Sequence, residues 1–219
     1  MTAIAIFVKT PGHSPIKTRL AASVGREKAE HWHRLASRVV AERALEADIG
    51  PVYFAVAEDL ALSHPLWSRL PTIGQGFGGL GERMHHVHSR LLPEHGSTLL
   101  LGADTIQWPL DSLRLASQWL NNPAARLCIG PARDGGFWTV GSNRALPLSA
   151  WARVNYSRET TLRDFTEAMA AHGRFKTLST LTDLDDLSDV VHLLSECPDE
   201  PLSRSFSECI EFLTDKLAQ

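Results

Sequence analysis

Residues 3–20, AIAIFVKTPGHSPIKTRL, join an apolar run to a basic loop. The run at 3–8 is short and bounded by turn-forming residues, which predicts a buried strand. Pro and Gly break the run after Lys9, and a Ser-Pro pair leads into Lys17 and Arg19. Ligands of open α/β sheets bind at the carboxyl ends of the strands. Since Lys and Arg supply charge and hydrogen-bond donors to phosphate, we predict a phosphate-binding loop after the first strand.

The basic loop has two alternative interpretations. One is a solvated basic turn, which we favour for Lys17 taken alone. The other is the P-loop, G-x4-G-K-[ST], which Gly12 followed by Lys17-Thr18 resembles. Ile16 stands where the second glycine is required, and Pro15 removes an amide that a phosphate cradle would use. We therefore exclude the P-loop.

Length, composition and charge narrow the class of protein. The 219 residues suffice for one domain with a sizeable core, and 43% hydrophobic and 21% charged residues are ordinary for a globular protein. The net charge of −3 favours neither a nucleic-acid partner nor an anionic membrane. No apolar run approaches about 18 residues and the first residues lack a basic leader, so we expect neither a membrane span nor a signal peptide. Three scattered cysteines without a CxxC motif indicate a cytoplasmic location.

Helix-like and strand-like patterns alternate along most of the chain. Apolar residues recur every three or four positions from 26 to 47, which predicts an amphipathic helix. The other predicted helices cover 58–70, 80–91, 110–120, 158–171 and 206–217. The other predicted strands cover 51–56, 97–101, 126–129 and 175–178, and a turn with a short strand occupies 130–141. This alternation predicts an α/β protein with a mainly parallel central sheet and helices on both faces.

Two aspartates follow predicted strands at the same edge as the basic loop. Asp104 comes after the strand at 97–101 and a Gly-Ala pair, and Asp134 lies in an Asp-Gly-Gly turn between two strands. Each has an ordinary structural alternative: an Asx turn or helix cap for Asp104, and a tight hairpin turn for Asp134. Together, and opposite a basic loop, the two carboxylates suit a divalent cation that bridges phosphates.

Four stretches resemble, in order, the motifs of one bacterial family. They are FVKTPGHSPIKTRLA at 7–21, GQGFGGLGERM at 74–84, LLLGADTIQWP at 99–109 and GPARDGGFWTVG at 130–141. The family consists of GT-A-like glycosyltransferases associated with radical-SAM and selenoprotein loci, long known only as a domain of unknown function. The resemblance extends over residues 3–194. More distantly, the chain resembles the nucleotidyltransferases of molybdenum-cofactor and deazaflavin-cofactor assembly.

The resemblance implies a GT-A, or nucleotide-diphospho-sugar transferase, fold, which we expect to form a single domain over 1–219 with a C-terminal helical extension at 195–219. The family's metal aspartate falls on Asp104, and the acidic position of its DGG motif falls on Asp134. We predict that both hold Mg²⁺ or Mn²⁺ and that Asp134 is also catalytic, by orienting a sugar hydroxyl or acting as general base. The phosphate-binding and nucleotide-binding positions fall on Lys9, Lys17, Arg19, Gln75, Gly81, Glu82 and Arg83.

The chain also departs from the family at two positions. Family members usually carry Asp where this chain has Gly79, and they have Pro soon after the metal aspartate, where residues 105–108 intervene here. Residues 151–157 match the acceptor-side loop only loosely, so the acceptor does not follow from the resemblance.

Four acidic or basic residues fit either a functional role or a structural role. Glu82 and Arg83 open a predicted helix, where they fit base or ribose recognition as well as helix-terminus electrostatics and a surface ion pair. Asp183 and Asp185 form an Asp-Leu-Asp segment of the kind that reaches the metal in related folds. For this pair we favour capping of a helix that begins near Leu187.

Three functions follow from these residues. The leading one is a metal-dependent glycosyltransferase that moves a sugar from a nucleotide-diphospho-sugar to an unknown small-molecule acceptor. The second is a nucleotidyltransferase that uses a nucleoside triphosphate and releases pyrophosphate. The third is a non-catalytic nucleotide-binding relic. The apolar C-terminal helix either closes the core or forms a homodimer.

Overall fold

The computed structural model describes residues 1–198 and 203–217. The strands are β1 (Thr2–Val8), β2 (Val52–Val56), β3 (Thr72–Gly74), β4 (Ser97–Gly102), β5 (Arg126–Pro131), β6 (Phe137–Ser142) and β7 (Arg174–Thr177). The helices are α1 (Thr18–Val24), α2 (Arg26–Glu46), α3 (Leu80–His95), α4 (Leu110–Leu120), α5 (Leu148–Ala152), α6 (Thr161–Met169), α7 (Asp189–Glu196) and α8 (Arg204–Leu217). In this described part of the chain, no helix combines the length and the apolar character needed to cross a membrane.

The seven strands of the described residues form one sheet in the order β3-β2-β1-β4-β6-β5-β7. Neighbouring strands are parallel except for β6, which runs antiparallel to both β4 and β5. The mainly parallel sheet that the alternation predicts is therefore confirmed. In the middle of the sheet, Ile4 of β1 pairs with Val52 of β2 and Leu99 of β4. Because β1 and β4 are parallel neighbours, the loops that follow them leave the same edge side by side.

Helices cover both faces of the sheet, since successive residues of a strand point to opposite faces. On β1, Ile4 and Ile6 pack into the core cluster that includes residues of α2, α4, α7 and α8. Ala3 and Ala5 pack into the other cluster, which includes residues of α3, α5 and α6. All four side chains are fully buried. The predicted α/β/α sandwich is thus confirmed.

Several segments differ from the pattern-based expectation. Residues 58–70 form two short 3₁₀ helices, Asp59–Ala61 and Pro65–Trp67, because a proline inside this segment lacks an amide hydrogen. The helix expected over 158–171 begins only at Thr161, so the residues before it form a loop. The helices α1 and α5 were not predicted, since seven and five residues are too few to show helical periodicity.

The helix α8 closes the core on the side of α2. Phe206, Cys209 and Leu213 are fully buried, and the Phe212 ring stacks on Trp32 of α2 with the ring centroids 6.2 Å apart. Core closure is therefore one role of this helix, and a homodimer stays a prediction.

Replacing Phe206 tests how much α8 contributes to stability. The change Phe206→Ala leaves a cavity in the core, and we expect the free energy of unfolding to fall by about 3–5 kcal/mol. Urea denaturation with circular dichroism measures this loss, and Glu211→Ala, on the exposed side of the same helix, serves as control. Equal midpoints for the two variants would contradict the role of α8 in the core.

Candidate functional site

A cavity of about 790 Å³ opens at the carboxyl ends of the central strands. We call it the strand-edge cavity. It brings together six of the predicted site residues, namely Lys9, Lys17, Arg19, Gln75, Asp104 and Asp134. It also brings in His33 and Asp185, and the loop before α6 borders it through Ser157, Arg158 and Glu159.

The centre of the strand-edge cavity is a buried ammonium group between two carboxylates. Lys17 Nζ lies 2.9 Å from Asp104 Oδ2 and 2.9 Å from Asp185 Oδ1, and the Lys17 side chain is only 8% exposed. Arg19 Nη2 binds the second oxygen of Asp185 at 2.5 Å. Burial alone would lower the pKa of Lys17, but the adjacent carboxylates outweigh it and raise the pKa above its usual range. Lys17 is therefore charged at neutral pH and holds the two acids in place.

The backbone of the basic loop is shaped to present Lys17 to the cavity. Lys17 has φ 45°, a left-handed conformation that costs a non-glycine residue free energy, and it immediately precedes α1. Lys9 Nζ donates to the carbonyl of Pro15 at 3.3 Å and so links the two ends of the loop. Such strain persists only where surrounding contacts fix the residue, and the two ion pairs of Lys17 do so here.

Asp104 lies directly after β4 and faces the helix α2. Among the described residues its buried Oδ1 has no hydrogen-bond partner, and His33 Nδ1 lies 3.7 Å from it. Burial disfavours the charged carboxylate, but Lys17 and His33 outweigh it and hold the pKa of Asp104 well below its usual range. The carboxylate is thus ionised and has one free oxygen.

His33 was not predicted as a site residue. Its Nε2 lies 3.0 Å from the carbonyl oxygen of Lys9, which leaves Nδ1 facing Asp104. In the sequence, His33 is one polar residue within the helical pattern of 26–47, and nothing distinguishes it from a solvated one. Only the packing of α2 against β1 brings it to the cavity.

The Asp-Leu-Asp segment belongs to the site, so the expectation that it caps a helix is wrong. The helix α7 begins at Asp189, beyond both aspartates, and Asp185 binds Lys17 and Arg19 instead. Asp183 accepts a hydrogen bond from the Thr105 hydroxyl. Burial, together with the neighbouring carboxylates, raises the pKa of Asp183 to about 8 despite the nearby ammonium. Asp183 is therefore largely protonated at neutral pH.

Asp134 lies on the exposed rim of the cavity. Its Oδ1 accepts a hydrogen bond from the amide of Gly136 at 2.8 Å, so Asp134 does stabilise the tight turn that was its structural alternative. The other carboxylate oxygen is available to a ligand. Gly135, with φ 87°, packs so closely on Glu159 that a Cβ atom there would lie 2.2 Å from its carbonyl oxygen. The amide of Leu162 also donates to the carbonyl of Gly135 at 2.8 Å. The Asp134 turn is therefore docked on the start of α6.

Gln75 borders the cavity, but its amide nitrogen is already engaged. Gln75 Nε2 donates to the carbonyls of Ala55 at 2.8 Å and Val8 at 3.2 Å, which ties together the ends of β1 and β2. Only its side-chain oxygen is left for a ligand.

The other three predicted nucleotide residues do not line the cavity. The Arg83 guanidinium donates to the carbonyls of Gly78 and Ala57, so it supports the glycine-rich loop. Glu82 packs against the same loop, where a Cβ atom on Gly78 would meet it at 3.0 Å. Gly81 lies behind the loop, and a Cβ atom there would be 2.6 Å from the carbonyl oxygen of Trp151.

The departure from the family at Gly79 affects a helix cap. Gly79 is the N-cap residue of α3, and no side chain of residues 1–198 or 203–217 caps this helix. An aspartate at this position would accept a hydrogen bond from the first turn, and glycine in its place costs only a few tenths of a kcal/mol. Gly79 itself does not line the strand-edge cavity, but its neighbour Leu80 does.

The second departure, the segment after Asp104, is built into the core. Thr105 donates to Asp183, and Gln107 Nε2 donates to the carbonyl of Thr182 at 2.8 Å. Both residues are buried, as is Trp108, which packs in the core. The segment therefore holds the Asp-Leu-Asp residues against the site.

The donor atoms of the site suit a divalent cation only in combination with a ligand. Among residues 1–198 and 203–217, no group of three or more His, Cys, Asp or Glu side chains is arranged to hold a metal ion. Asp104 nevertheless has a buried oxygen without a partner, and Mg²⁺ is commonly held by one or two carboxylates with phosphate oxygens in the remaining positions. The site thus fits a metal ion that arrives with a phosphorylated ligand.

Solved structures identify the fold as that of nucleotide-diphospho-sugar transferases and nucleotidyltransferases. A "putative nucleotide-diphospho-sugar transferase" from Desulfovibrio desulfuricans G20 superposes with a TM-score of 0.84 at 21% identity, covering 99% of this chain and 95% of that one. The 4-diphosphocytidyl-2C-methyl-D-erythritol synthase of Anaerococcus prevotii DSM 20548 gives 0.55 at 8% identity, covering 97% and 96%. CMP:2-keto-3-deoxy-manno-octonic acid synthetase in complex with CTP gives 0.53 at 12% identity, covering 89% and 98%. At these identities, the likeness concerns the fold alone.

Within this fold class, the chain belongs to DUF2064, a family of uncharacterized proteins conserved in bacteria. The family model matches residues 17–158, well over half of the chain, and this region includes Lys17, Asp104 and Asp134. No curated protein matches the sequence significantly. The association with radical-SAM and selenoprotein loci stays a prediction.

A substitution at Gly81 tests the tight packing of this glycine behind its loop. In Gly81→Ala the new methyl group would overlap the Trp151 carbonyl and the Tyr156 ring, so we expect a loss of about 1–3 kcal/mol in stability. Thermal denaturation measures this loss. The control is Gly102→Ala, whose added Cβ atom would meet only the Trp138 carbonyl oxygen at 3.7 Å. Unchanged stability of Gly81→Ala would disprove the tight packing.

The raised pKa of Asp183 predicts how stability changes with pH. The folded state binds the proton of Asp183 more tightly than the unfolded chain does. The contribution of Asp183 to the free energy of unfolding is therefore fully present below about pH 4, and it is lost as the pH rises towards 8. The loss approaches about 1.4 kcal/mol per pH unit for one group. The neutral variant Asp183→Asn should lack this contribution, as measured by urea denaturation between pH 4 and 8.

The exposed residue Asp111, on α4, provides the control. Asp111→Asn should keep the slope of the wild type. A slope in Asp183→Asn equal to that of the wild type would contradict the assignment to Asp183.

Proposed function

We propose that this protein is a metal-dependent transferase that moves a sugar from a nucleotide-diphospho-sugar to a small-molecule acceptor. The observation that supports this most is the buried Lys17 between Asp104 and Asp185 at the carboxyl edge of the sheet. Cations and carboxylates together at this edge suit a charged ligand with phosphates, and the fold is one in which nucleotide-diphospho-sugar transferases occur.

The cationic side of the cavity would bind the diphosphate. Lys9, Lys17 and Arg19 line the same wall and supply positive charge and hydrogen-bond donors to phosphate oxygens. When sugar transfer begins, negative charge develops on the leaving diphosphate, and these fixed cations stabilise it. Asp104, with its free oxygen, would hold Mg²⁺ or Mn²⁺, which supplies further charge stabilisation to the leaving group.

The opposite rim of the strand-edge cavity, which carries Asp134, would bind the acceptor. Asp134 has one oxygen bound to the Gly136 amide and the other available, so it suits a general base. In the proposed step, the acceptor hydroxyl oxygen bonds to the anomeric carbon of the sugar and gives its proton to Asp134. The bond between that carbon and the diphosphate breaks, and the nucleoside diphosphate leaves with the electron pair.

Nucleotidyl transfer is the second candidate, because the nucleotidyltransferases named above share the fold with TM-scores of 0.53 and 0.55. It differs in the bond that breaks: the acceptor attacks the α-phosphate of a nucleoside triphosphate, and pyrophosphate leaves. A nucleotide-binding relic is the third candidate. Neither Gly79 nor residues 105–108 line the strand-edge cavity, which favours an active enzyme over a relic. The cytoplasmic location stays a prediction.

Thermal stability with a panel of nucleotides and nucleotide-sugars tests the proposal. A ligand that binds only the folded protein adds about 2.7 kcal/mol at a hundredfold excess over its Kd. We expect one nucleotide-sugar to stabilise the wild type in the presence of Mg²⁺ or Mn²⁺, and Asp104→Asn to lose this metal-dependent gain. Asp111→Asn, on the exposed surface of α4, should keep it.

The products separate the three candidates. Release of nucleoside diphosphate from the stabilising nucleotide-sugar, with no pyrophosphate, supports glycosyl transfer. Release of pyrophosphate from a nucleoside triphosphate would support nucleotidyl transfer instead. Binding without turnover across a panel of acceptors would indicate the relic, and a panel without any stabilising compound would disprove all three.

A further inference from the structure

A second cavity lies beside the strand-edge cavity, and arginines dominate its wall. It has a volume of about 560 Å³ and lies between the loop before α6 and α6 itself. We call it the arginine pocket, after Arg153, Arg158 and Arg163. Arg158 lines both cavities, so the two are adjacent.

Only two of the three arginines are free to bind a ligand. Arg163 lies 3.1 Å from Asp164 and 4.0 Å from Glu167, which are the two acidic residues of the pocket wall. Within the described residues, the exposed guanidinium groups of Arg153 and Arg158 have neither an ion pair nor a hydrogen bond. The acids of the pocket are therefore neutralised, and two unpaired positive charges remain at its wall.

Asp164 also accepts hydrogen bonds from polar side chains of the loop before α6. Asp164 Oδ2 accepts hydrogen bonds from Asn155 Nδ2 and from the Thr160 hydroxyl, both at 3.2 Å. Because these contacts and Arg163 occupy both of its oxygens, Asp164 has little capacity left to pair with the free arginines.

The loop that carries Arg158 is held in one conformation. The buried hydroxyl of Thr161 accepts from the Arg158 amide at 3.1 Å and lies 2.9 Å from the carbonyl oxygen of Asn155. Ser157, between them, has φ 60°, a left-handed conformation that is uncommon for a residue other than glycine. The backbone of Arg158 is thus fixed before any ligand binds, which removes the loop's share of the entropic cost of binding.

The arginine pocket is connected to the candidate general base. The Asp134 turn docks on this loop through Gly135, which packs on the backbone of Glu159 and accepts a hydrogen bond from Leu162. A molecule bound by Arg158 from the side of the pocket would therefore lie next to Asp134. On the other side, the phosphates of the donor would contact Lys9 and the residues around it.

We propose that the arginine pocket binds an acidic group of the acceptor, either a carboxylate or a phosphate, and that the acceptor is therefore an anionic hydroxy compound. This inference rests on the proposed function, since it names the acceptor of that reaction. Guanidinium groups match both oxyanions with paired hydrogen bonds, and a neutral hydroxy compound would leave two like charges uncompensated. Arg153 and Arg158 are then the groups that determine acceptor specificity.

Matched probes test the anion requirement directly. Calorimetric titrations at low ionic strength would compare glycerol, glycerate and glycerol 3-phosphate, which share hydroxyl groups and differ in charge. We expect saturable binding of at least one of the two anions and none of glycerol. Whichever anion binds more tightly identifies the acidic group as carboxylate or phosphate.

Single substitutions locate the bound anion. Arg153→Gln and Arg158→Gln should each weaken anion binding by roughly tenfold or more, since each removes a charged hydrogen-bond donor. Arg163→Gln is the matched control, because that guanidinium is already paired with acids of the protein, and it should change affinity by less than about threefold. Lys9→Gln, in the strand-edge cavity, should have no effect.

Three results would overturn this proposal. They are the absence of saturable anion binding to the wild type, equal affinity for glycerol, and binding that depends on Lys9 but not on Arg153. Nucleotide-sugar stabilisation, measured on the same proteins, keeps the two proposals apart. If it persists while anion binding is absent, only the acceptor assignment fails. If anion binding depends on Arg153 but no nucleotide-sugar stabilises the protein, the proposed function fails and takes the acceptor role with it, and the arginine pocket is an anion site without that role.

Discussion

The site depends on one buried charge, the ammonium of Lys17 between the carboxylates of Asp104 and Asp185. A buried ion pair contributes little net stability, but removal of one partner costs about 3–5 kcal/mol because the other charge is left uncompensated. The three residues come from the loops after β1, β4 and β7, so each loop is held to the others through Lys17. The parallel pairing of β1 with β4 brings the first two together, and Thr105 helps to hold the third through Asp183.

The ion pair between Lys17 and Asp104 also bears on how the site would bind a metal ion and phosphates. Lys17 pairs with one oxygen of Asp104, while the other oxygen is buried and has no hydrogen-bond partner within the described residues. A divalent cation bound there would compete with Lys17 for the carboxylate, and the phosphates of a nucleotide would supply new partners for the ammonium. Binding of the cation and of the phosphates should therefore be coupled. Under the proposed function, this coupling would allow a site that has no ready-made group of three metal ligands in the described residues to bind a metal ion together with a nucleotide.

The family match covers parts of both cavities. It extends over residues 17–158, which include Lys17, Asp104 and Asp134 of the strand-edge cavity and Arg153 and Arg158 of the arginine pocket. Lys9 lies before the matched region, and Arg163 on α6 lies after it. The unpaired arginines of the pocket and the acidic residues of the strand-edge cavity therefore belong to the same matched region.

The fold class could be predicted from the sequence, because apolar periodicity and turn residues are local properties that recur in every βαβ unit. It also brought Lys17, Asp104 and Asp134 to one edge of the sheet, since residues after parallel strands emerge together. Which residues come into contact, by contrast, depends on the packing of the folded chain. His33 reaches Asp104 through the packing of α2, Asp185 pairs with Lys17 across 168 positions, and Gly81 packs behind its loop rather than lining the cavity. These contacts depend on how distant segments pack, and no local pattern encodes that.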